Sequence, residues 1–248
     1  MATVFLLCFN EEILLPHTVA HYKKYLPSCQ IIIYDNHSTD NSVKIAKDLG
    51  CKVVLWDSNN EINEFRYLTI KNHCWKILKS GWVIVADMDE WLCVTEEELV
   101  EEEKNGSAIL TVKGYNMIGQ SRRLDLSDIQ LHDIKKQMYN PEENKSLCFY
   151  RPFVLEMNYS PGAHKCQPIM RGTYSKKTYI NKHMDYLGLP FILNKTIKRY
   201  ERSKRMRREY NLANHYTNNL YEIKQRYFYY LYNSYEKNKE RKEDKKKI

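Results

Sequence analysis

Two aspartates that directly follow a run of apolar residues are the side chains of this sequence best suited to chemistry. Residues 83–86 are β-branched or small, which predicts a strand buried on both faces of a parallel sheet. If the chain stays extended, Asp87 and Asp89 project to the same side at the strand end where open α/β sheets bind ligands. Two adjacent carboxylates repel each other unless a cation lies between them. The spacing therefore predicts a site for a hard divalent ion.

Strand and helix patterns alternate ahead of these aspartates. Short apolar runs predict strands, and apolar positions three and four apart predict helices. The predicted elements are, in order, a strand at 3–9, a helix at 13–26, a strand at 30–34, a helix at 41–49, a strand at 52–56 and a helix at 64–79. This alternation favours a parallel sheet with right-handed crossovers, so the fold class predicted for the chain is α/β.

The pattern changes after residue 92. Thr95 and Glu98 have the spacing of a capping box and begin a short helix that reaches about residue 104. A strand is predicted at 108–112, a long polar loop at 113–144, one or two strands at 146–157, and a helical segment at 189–235. The charge run at 237–247 predicts a frayed or disordered end.

Composition predicts one folded domain with a basic extension. The 248 residues, of which 43% are hydrophobic, suffice for a core. The net charge of +8 is uneven, because residues 195–248 contain 17 Lys+Arg against 7 Asp+Glu. We therefore divide the chain into a domain at 1–194 and a Tyr-rich helical extension at 195–248, and a nucleic-acid-binding role for the whole chain is not favoured.

Cysteine usage and hydropathy indicate a cytoplasmic protein. The seven cysteines are scattered without CxxC spacing, which favours reduced thiols. No basic stretch precedes the short apolar run at the amino terminus, so a signal peptide is not expected. No apolar run approaches the roughly 20 residues needed to cross a bilayer. We expect a soluble protein.

The sequence contains three motifs of interest, at residues 9–12 (FNEE), 34–40 (YDNHSTD) and 86–92 (ADMDEWL). In this order and spacing, they resemble the family-2-like glycosyltransferases of the GT-A fold. The last is similar to the branch in which Asp-x-Asp-Glu precedes an aromatic residue. Residues 145–152, His164, His183 and Lys195 also look like that branch. The resemblance covers roughly residues 1–200 and implies a GT-A sheet flanked by helices.

The resemblance implies transfer of a sugar from a nucleotide-diphosphate donor, with Mn²⁺ or Mg²⁺ held against the diphosphate. Such an ion stabilises the negative charge that builds up on the departing phosphate. Asp89 is then a direct metal ligand, and Asp87 contacts the metal site or the donor ribose. The resemblance also implies that the donor contacts residues at the strand ends and, because guanidinium suits phosphate, a residue of the third helix. These residues are Asn10, Glu11, Asp35, Asn36 and Arg66.

A late histidine completes the metal shell in many GT-A enzymes, and both His164 and His183 qualify. Imidazole suits Mn²⁺ somewhat better than Mg²⁺. An inverting enzyme also needs a carboxylate base for the acceptor hydroxyl. We assign that role to Asp185, with Glu156 and Asp133 as alternatives.

Structural roles compete with these assignments. Asp35 and Asp40 also suit turn formation and helix capping, and Arg66 also suits a surface ion pair. The Tyr-rich residues 227–232 have helical spacing, which favours a packed helix face over a base-stacking platform.

Two other functional classes remain open. A nucleotidyltransferase shares paired acids on a strand end, although residues 9–12 lack the glycines of a phosphate loop. A non-catalytic module would use the basic tail to bind nucleic acid, an anionic membrane or a partner. For the favoured enzyme, the predicted ligands are a UDP-, GDP- or TDP-linked sugar and a glycan or protein acceptor, with peripheral membrane contact through the tail.

Overall fold

The structure, a computed structural model, describes residues 1–236 of the chain. The predicted charge run at 237–247 lies outside these residues. The strands are β1 (Ala2–Cys8), β2 (Gln30–Asp35), β3 (Lys52–Leu55), β4 (Trp82–Asp87), β5 (Glu90–Cys93), β6 (Ser107–Ser121), β7 (Lys136–Tyr139), β8 (Cys148–Tyr150), β9 (Val154–Glu156), β10 (Ile169–Met170), β11 (Thr173–Gly188) and β12 (Tyr235–Glu236). The helices are α1 (Leu15–Tyr25), α2 (Ser42–Asp48), α3 (Glu64–His73), α4 (Glu96–Lys104), α5 (Leu189–Arg202), α6 (Lys204–Tyr210) and α7 (Leu220–Asn233).

The first half of the chain forms the parallel part of the sheet. The strand order is β3-β2-β1-β4, and all three pairings are parallel. In this register Cys8 is opposite Asp35 and Leu7 is opposite Asp87. The carboxyl ends of β1, β2 and β4 therefore lie along one edge, as the alternation of strands and helices predicts.

The second half of the chain completes the sheet. Antiparallel pairings join β4 to β8, β8 to β6, and β6 to β7, while β11 runs parallel to β6 and antiparallel to β5. The prediction of a long loop at 113–144 is wrong in part, because β6 continues to Ser121 and residues 136–139 form β7. The polar side chains of this region obscured its strands. The α/β sheet with flanking helices is confirmed, although its second half is mixed rather than parallel.

Apolar residues on alternate positions bury both faces of the sheet. Val4, Leu6, Ile84 and Ala86 belong to one core cluster, whereas Phe5, Val83 and Val85 belong to another. Successive side chains of a strand point to opposite faces, so the two clusters lie on opposite sides of β1 and β4. Helix α1 packs on the first face. Leu68 of α3 and the 3₁₀ turn that follows α3 pack on the second.

Residues 189–233 fold as three helices rather than the single helical segment predicted at 189–235. Ile223 and Tyr227 of α7 pack against Ile192 of α5 and against Ile118 and Tyr186 of the sheet. Residues 211–219 interrupt the helical run and place His215 and Tyr216 on the wall of the cavity described below. Within residues 1–236, every helix is too short or too polar to cross a membrane.

Candidate active site

A cavity of about 530 Å³ opens at the carboxyl ends of β1 and β4. Its volume is in the range of small-molecule sites. Helix α5 forms another wall of the cavity. The acidic, basic and histidine side chains on the lining come from several elements: Glu11, Glu12, Asp40, Glu64, Lys71, Asp87, Asp89, Glu143, Lys145, His164, His183, Lys195, Lys198, Arg199, Arg202 and His215.

Asp87 and Asp89 do not share one extended strand. Asp87 ends β4, a turn at Met88 and Asp89 follows, and Glu90 begins β5. The Glu90 carboxylate accepts a hydrogen bond from the Asp87 backbone N–H at 2.7 Å and thereby closes the turn. The Asp87 side chain is 36% exposed and that of Asp89 only 5%. The two acids therefore have different surroundings, contrary to the expectation that both project alike.

Asp89 lies in a group with His183 and Asp185, which β11 supplies. One ligand atom from each of the three residues lies within 4.8 Å of the others. The Nε2 atom of His183 is 3.6 Å from Asp89 Oδ2, and its Nδ1 atom is 2.8 Å from the Asn116 side-chain oxygen. Strand β11 reaches the site because Lys182 and His183 pair with Trp91 and Glu90 of β5.

Cations of helix α5 neutralise this group. The Lys195 ammonium donates to Asp89 Oδ2 at 2.6 Å and to Asp185 Oδ1 at 2.5 Å. One helical turn later, Arg199 Nη2 is 3.5 Å from the same Asp89 oxygen and 4.0 Å from Glu11. Residues four apart lie on one face of a helix, which explains why both reach Asp89.

The charges of this group shift the pKa values of its members. Burial alone would raise the pKa of Asp89, but Lys195, His183 and Arg199 outweigh it and hold that pKa well below its usual range. Burial disfavours the imidazolium form of His183, yet Glu143 and Asp89 raise its pKa to about 9. Lys195 likewise outweighs burial and lowers the pKa of Asp185.

The donor set of this group fits Mn²⁺ or Mg²⁺. Two carboxylates and an imidazole offer the oxygen and nitrogen ligands that these ions accept. Among the predicted metal ligands, Asp89 and His183 belong to the group, whereas Asp87 and His164 lie outside it. Asp87 is instead paired with Lys71 at 2.9 Å. His164 lines the cavity, but its Nδ1 atom is 2.8 Å from the backbone oxygen of Glu142.

Asp185, predicted as the catalytic base, is held by Lys195 and has a lowered pKa. A carboxylate in that state accepts a proton poorly near neutral pH, so its surroundings suit a metal ligand better than a base. The alternative Glu156 is paired with Lys76. Neither Glu156 nor Asp133 is on the cavity lining.

A second, more enclosed network supports the turn from the Asp87 side. Lys145 donates to Glu90 at 2.6 Å and lies 3.2 Å from Glu143. The side chains of Glu90 and Lys145 are 0% and 6% exposed. Glu143 comes this close because Gly114 of β6 has no side chain, and a Cβ atom there would lie 2.3 Å from Glu143.

The loop after β1 places Asn10 and Glu11 on the cavity, as predicted. Asp35 accepts hydrogen bonds from the backbone and hydroxyl of Ser38, at 2.9 and 2.6 Å. The Ser38 hydroxyl in turn accepts from the Asn10 N–H at 2.8 Å. Asp35 is 1% exposed and is not on the lining. Its side chain therefore positions the β1 loop, and its contact with the donor stays a prediction.

Two other predicted donor contacts also lie off the cavity. Asn36 is 2% exposed, and its amide exchanges hydrogen bonds with Ser58. Arg66 is exposed and donates to the backbone oxygen of Asp57. The amide of Asn36 links the loop after β2 to the loop after β3. Arg66 binds the backbone of the loop after β3. Both have structural roles here.

Glu11 combines exposure to the cavity with an altered pKa. Burial raises the pKa of Glu11 to about 7, although Arg199 and Lys195 lower it in part. A carboxylate with such a pKa exchanges protons near neutral pH.

Several charged residues of the site lacked a role in the sequence analysis. No sequence motif predicts a role for Lys71, Glu143 or Arg199, and the family resemblance includes Lys145 and Lys195 without implying a function for either. The four-residue spacing of Lys195 and Arg199 on a predicted helix was the available signal. Lys71 on α3 has no local signal, because its importance comes from its contact with Asp87.

Residues 3–157 match the model of the family described as Glycosyl transferase family 2. This is more than half of the chain. The chain belongs to glycosyl transferase family 2. The match confirms the resemblance drawn from the three motifs, and it includes Glu11, Asp87 and Asp89. His183, Asp185 and the cations of α5 lie beyond the matched residues.

Known proteins of this kind are similar to the chain at low identity. The uncharacterized glycosyltransferase RT0209 of Rickettsia typhi is 24% identical over 194 residues, which cover 77% of this chain and 57% of that protein. The chain thus spans little more than half the length of this relative. Among solved structures, S. aureus TarS is 13% identical, with a TM-score of 0.45 over 79% of this chain and 39% of that chain. The mannosyltransferase PcManGT from Pyrobaculum calidifontis, in complex with GDP-Man and Mn²⁺, is 9% identical, with a TM-score of 0.43 over 81% of this chain and 61% of that chain.

Proposed function

We propose that this family 2 chain transfers a sugar from a nucleoside-diphosphate sugar to a hydroxyl group of an acceptor, in a reaction that depends on Mn²⁺ or Mg²⁺. The observation that carries the proposal is the meeting of Asp89, His183 and Asp185 beside a cavity at the carboxyl ends of β1 and β4. Open α/β sheets bind ligands at this edge. The donor is a UDP-, GDP- or TDP-linked sugar, and the acceptor is a glycan or a protein.

Asp89, His183 and Asp185 hold the divalent ion in this proposal. The ion supplies Lewis-acid stabilisation of the charge that develops on the departing diphosphate. Asn116 accepts a hydrogen bond from the Nδ1 atom of His183 when that atom carries the proton, which leaves Nε2 facing Asp89. Such a partner fixes both the tautomer and the ring orientation of a metal-binding histidine.

The remaining side chains of the cavity bind and orient the donor. Asp87 is half-exposed and is directed by Lys71, so its carboxylate is available to a donor hydroxyl such as that of the ribose. Asn10 and Glu11 line the same crevice. The loop that carries them is fixed by Ser38 and Asp35, so the donor meets a preorganised surface.

A thermal-shift panel tests this function. UDP-, GDP- and TDP-sugars are added with Mn²⁺, with Mg²⁺ or with a chelator. A ligand at 100 times its Kd stabilises the native state by about 2.7 kcal/mol, which raises the Tm of a chain of this length by roughly 5–10 °C. We expect such a rise for one class of nucleotide and only with metal.

Matched variants test whether the metal and the nucleotide sugar bind at this site. Asp89→Asn should abolish the metal-dependent rise, whereas Asp48→Asn, which removes an exposed carboxylate of α2, should keep it. A flat response to the whole panel in the wild-type protein would overturn the proposed function. An equal rise with the chelator would overturn its metal dependence.

A further inference from the structure

The ammonium of Lys195 lies between two carboxylates of the group proposed to hold the divalent ion. Its Nζ atom is 2.6 Å from Asp89 Oδ2 and 2.5 Å from Asp185 Oδ1. Both carboxylates are therefore already paired with a cation that the protein itself supplies.

A divalent ion and this ammonium exclude each other at that position. An ion bound to Asp89 and Asp185 through oxygen distances of 2.0–2.6 Å, the usual range for such ions, would lie within a few ångströms of Nζ. Like charges at that separation repel strongly in a partly buried site. The Lys195 side chain is only 10% exposed, so water screens little of this repulsion.

The Lys195 side chain can reach other positions along the cavity wall. It starts from α5, which forms a wall of the cavity, and it carries a flexible four-carbon stem. Lys198 and Arg199 line the same wall. An ammonium that leaves Asp89 and Asp185 stays among cavity-lining groups, where a diphosphate would attract it.

We propose that Lys195 is an exchangeable counter-cation, which pairs with Asp89 and Asp185 in the ligand-free protein and moves to the donor diphosphate when the metal binds. This inference rests on the proposed function and assigns a positioning role to Lys195. The metal binds poorly alone, because it must displace the ammonium. The diphosphate offers that ammonium a new partner, so the nucleotide and the metal assist each other's binding.

The Lys195→Gln variant separates this role from a purely structural one, because the two ligands respond in opposite directions. Mn²⁺ without nucleotide is titrated by the electron paramagnetic resonance signal of the free ion, and UDP and GDP are titrated calorimetrically in a chelator. We expect Lys195→Gln to bind Mn²⁺ about tenfold more tightly than the wild-type protein. It should bind the preferred nucleoside diphosphate about tenfold more weakly, since 1.4 kcal/mol corresponds to that factor. A structural lysine would weaken both.

Lys204→Gln is the matched control for the Mn²⁺ titration. It removes the same charge from an exposed position at the start of α6, off the cavity lining. Its Mn²⁺ affinity should stay within about twofold of wild type, because screening reduces the effect of an exposed charge. An equal gain in Mn²⁺ affinity in both variants would show a general field effect and would overturn the exchange.

A measurement on the wild-type protein keeps the inference testable if Lys195→Gln does not fold. Lysine acylation followed by mass spectrometry reports how accessible each ammonium is. Labelling of Lys195 should rise several-fold with saturating Mg²⁺ and fall again when the nucleoside diphosphate is added. Unchanged labelling of Lys195 with saturating metal would overturn the exchange.

Failure of the exchange is distinguishable from failure of the proposed function. If metal and nucleotide bind the wild-type protein together but Lys195→Gln shows no gain in Mn²⁺ affinity, the exchange is wrong and the function stands. If the wild-type protein binds neither ligand, both are wrong.

Discussion

Asp87 and Asp89 are two residues apart, yet they lie in two charge clusters of different construction. On the Asp87 side, Lys71 and Lys145 are buried and pair with Asp87 and Glu90. On the Asp89 side, the partners come from β11 and α5, beyond the residues that match the family model. The first cluster therefore builds the turn, whereas the second is the one in which we propose that a divalent ion replaces the Lys195 ammonium.

The largest expected effect is on stability, from breaking the Asp87-side cluster with Lys145→Met. This change leaves Glu90 and Glu143 buried without their ammonium. Removing one partner of a buried ion pair costs about 3–5 kcal/mol, which chemical denaturation measures. Lys76→Met, which breaks the more exposed pair with Glu156, should cost less than about 1 kcal/mol. Equal losses in the two variants would contradict the contrast between the clusters.

The second effect separates the two aspartates. Asp89→Asn should lower kcat/KM for metal-dependent transfer by about 10³-fold, or about 4 kcal/mol, because it removes a metal ligand. Asp87→Asn should leave the affinity for Mn²⁺ within about threefold, since Asp87 lies outside the group of metal-binding side chains. Mn²⁺ titration of both variants measures this contrast. A comparable loss of Mn²⁺ affinity in Asp87→Asn would place both aspartates in one metal site.

The third effect is a pH dependence that comes from His183, which lies 3.6 Å from Asp89 and 3.6 Å from Glu143 of the other cluster. Glu143 and Asp89 outweigh burial and raise the pKa of His183 to about 9, above the ordinary value near 6.5. This contribution to stability is complete below pH 6.5 and is lost as the pH rises through 9. In a chelator, the free energy of unfolding should fall by about 3 kcal/mol across that window.

His183→Gln is the variant that tests this assignment. It should remove most of the pH dependence, whereas His73→Gln, on an exposed histidine of α3, should keep it. A pH profile that His183→Gln leaves unchanged would show that another group titrates.

The smallest of these effects comes from the loop that presents Glu11. Asp35→Asn replaces a carboxylate that accepts two hydrogen bonds from Ser38. Losing a hydrogen bond to a buried charged group costs about 2 kcal/mol. Asp57→Asn, at an exposed position two residues beyond β3, should change stability by less than about 0.5 kcal/mol. If Asp35→Asn keeps full stability but abolishes nucleotide binding, Asp35 contacts the donor as the sequence analysis predicted.

Residue patterns within short segments predicted the strands and helix ends that neighbouring residues determine. The strands β1 to β4 and the Thr95–Glu98 capping box formed where the sequence predicts them. The long strand β6 was missed beyond residue 112, because glycines and polar residues interrupt its apolar pattern and its pairing with β11 is non-local. Periodicity within a segment does not report such pairing.

The same contrast between local sequence and non-local contacts applies to the residues of the candidate site. Asp89 was predicted as a metal ligand because it follows an apolar strand, whereas Glu11 and the pair His164 and His183 were implied by the family resemblance. Asp35 and Asn36 follow a strand just as closely, yet their side chains turn into the protein and bind Ser38 and Ser58. A strand end places a residue near the cavity, but the hydrogen bonds of the loop decide which way its side chain points.

The central claim is that Asp89, His183 and Asp185 together bind the divalent ion that the proposed transfer requires. The most direct test is pulsed electron paramagnetic resonance of Mn²⁺ bound to the protein with the preferred nucleoside diphosphate, which detects a directly coordinated imidazole nitrogen. We predict a nitrogen coupling in the wild-type protein and in His164→Gln, and its loss in His183→Gln. A coupling that survives in His183→Gln, or none in the wild-type protein, would contradict this site.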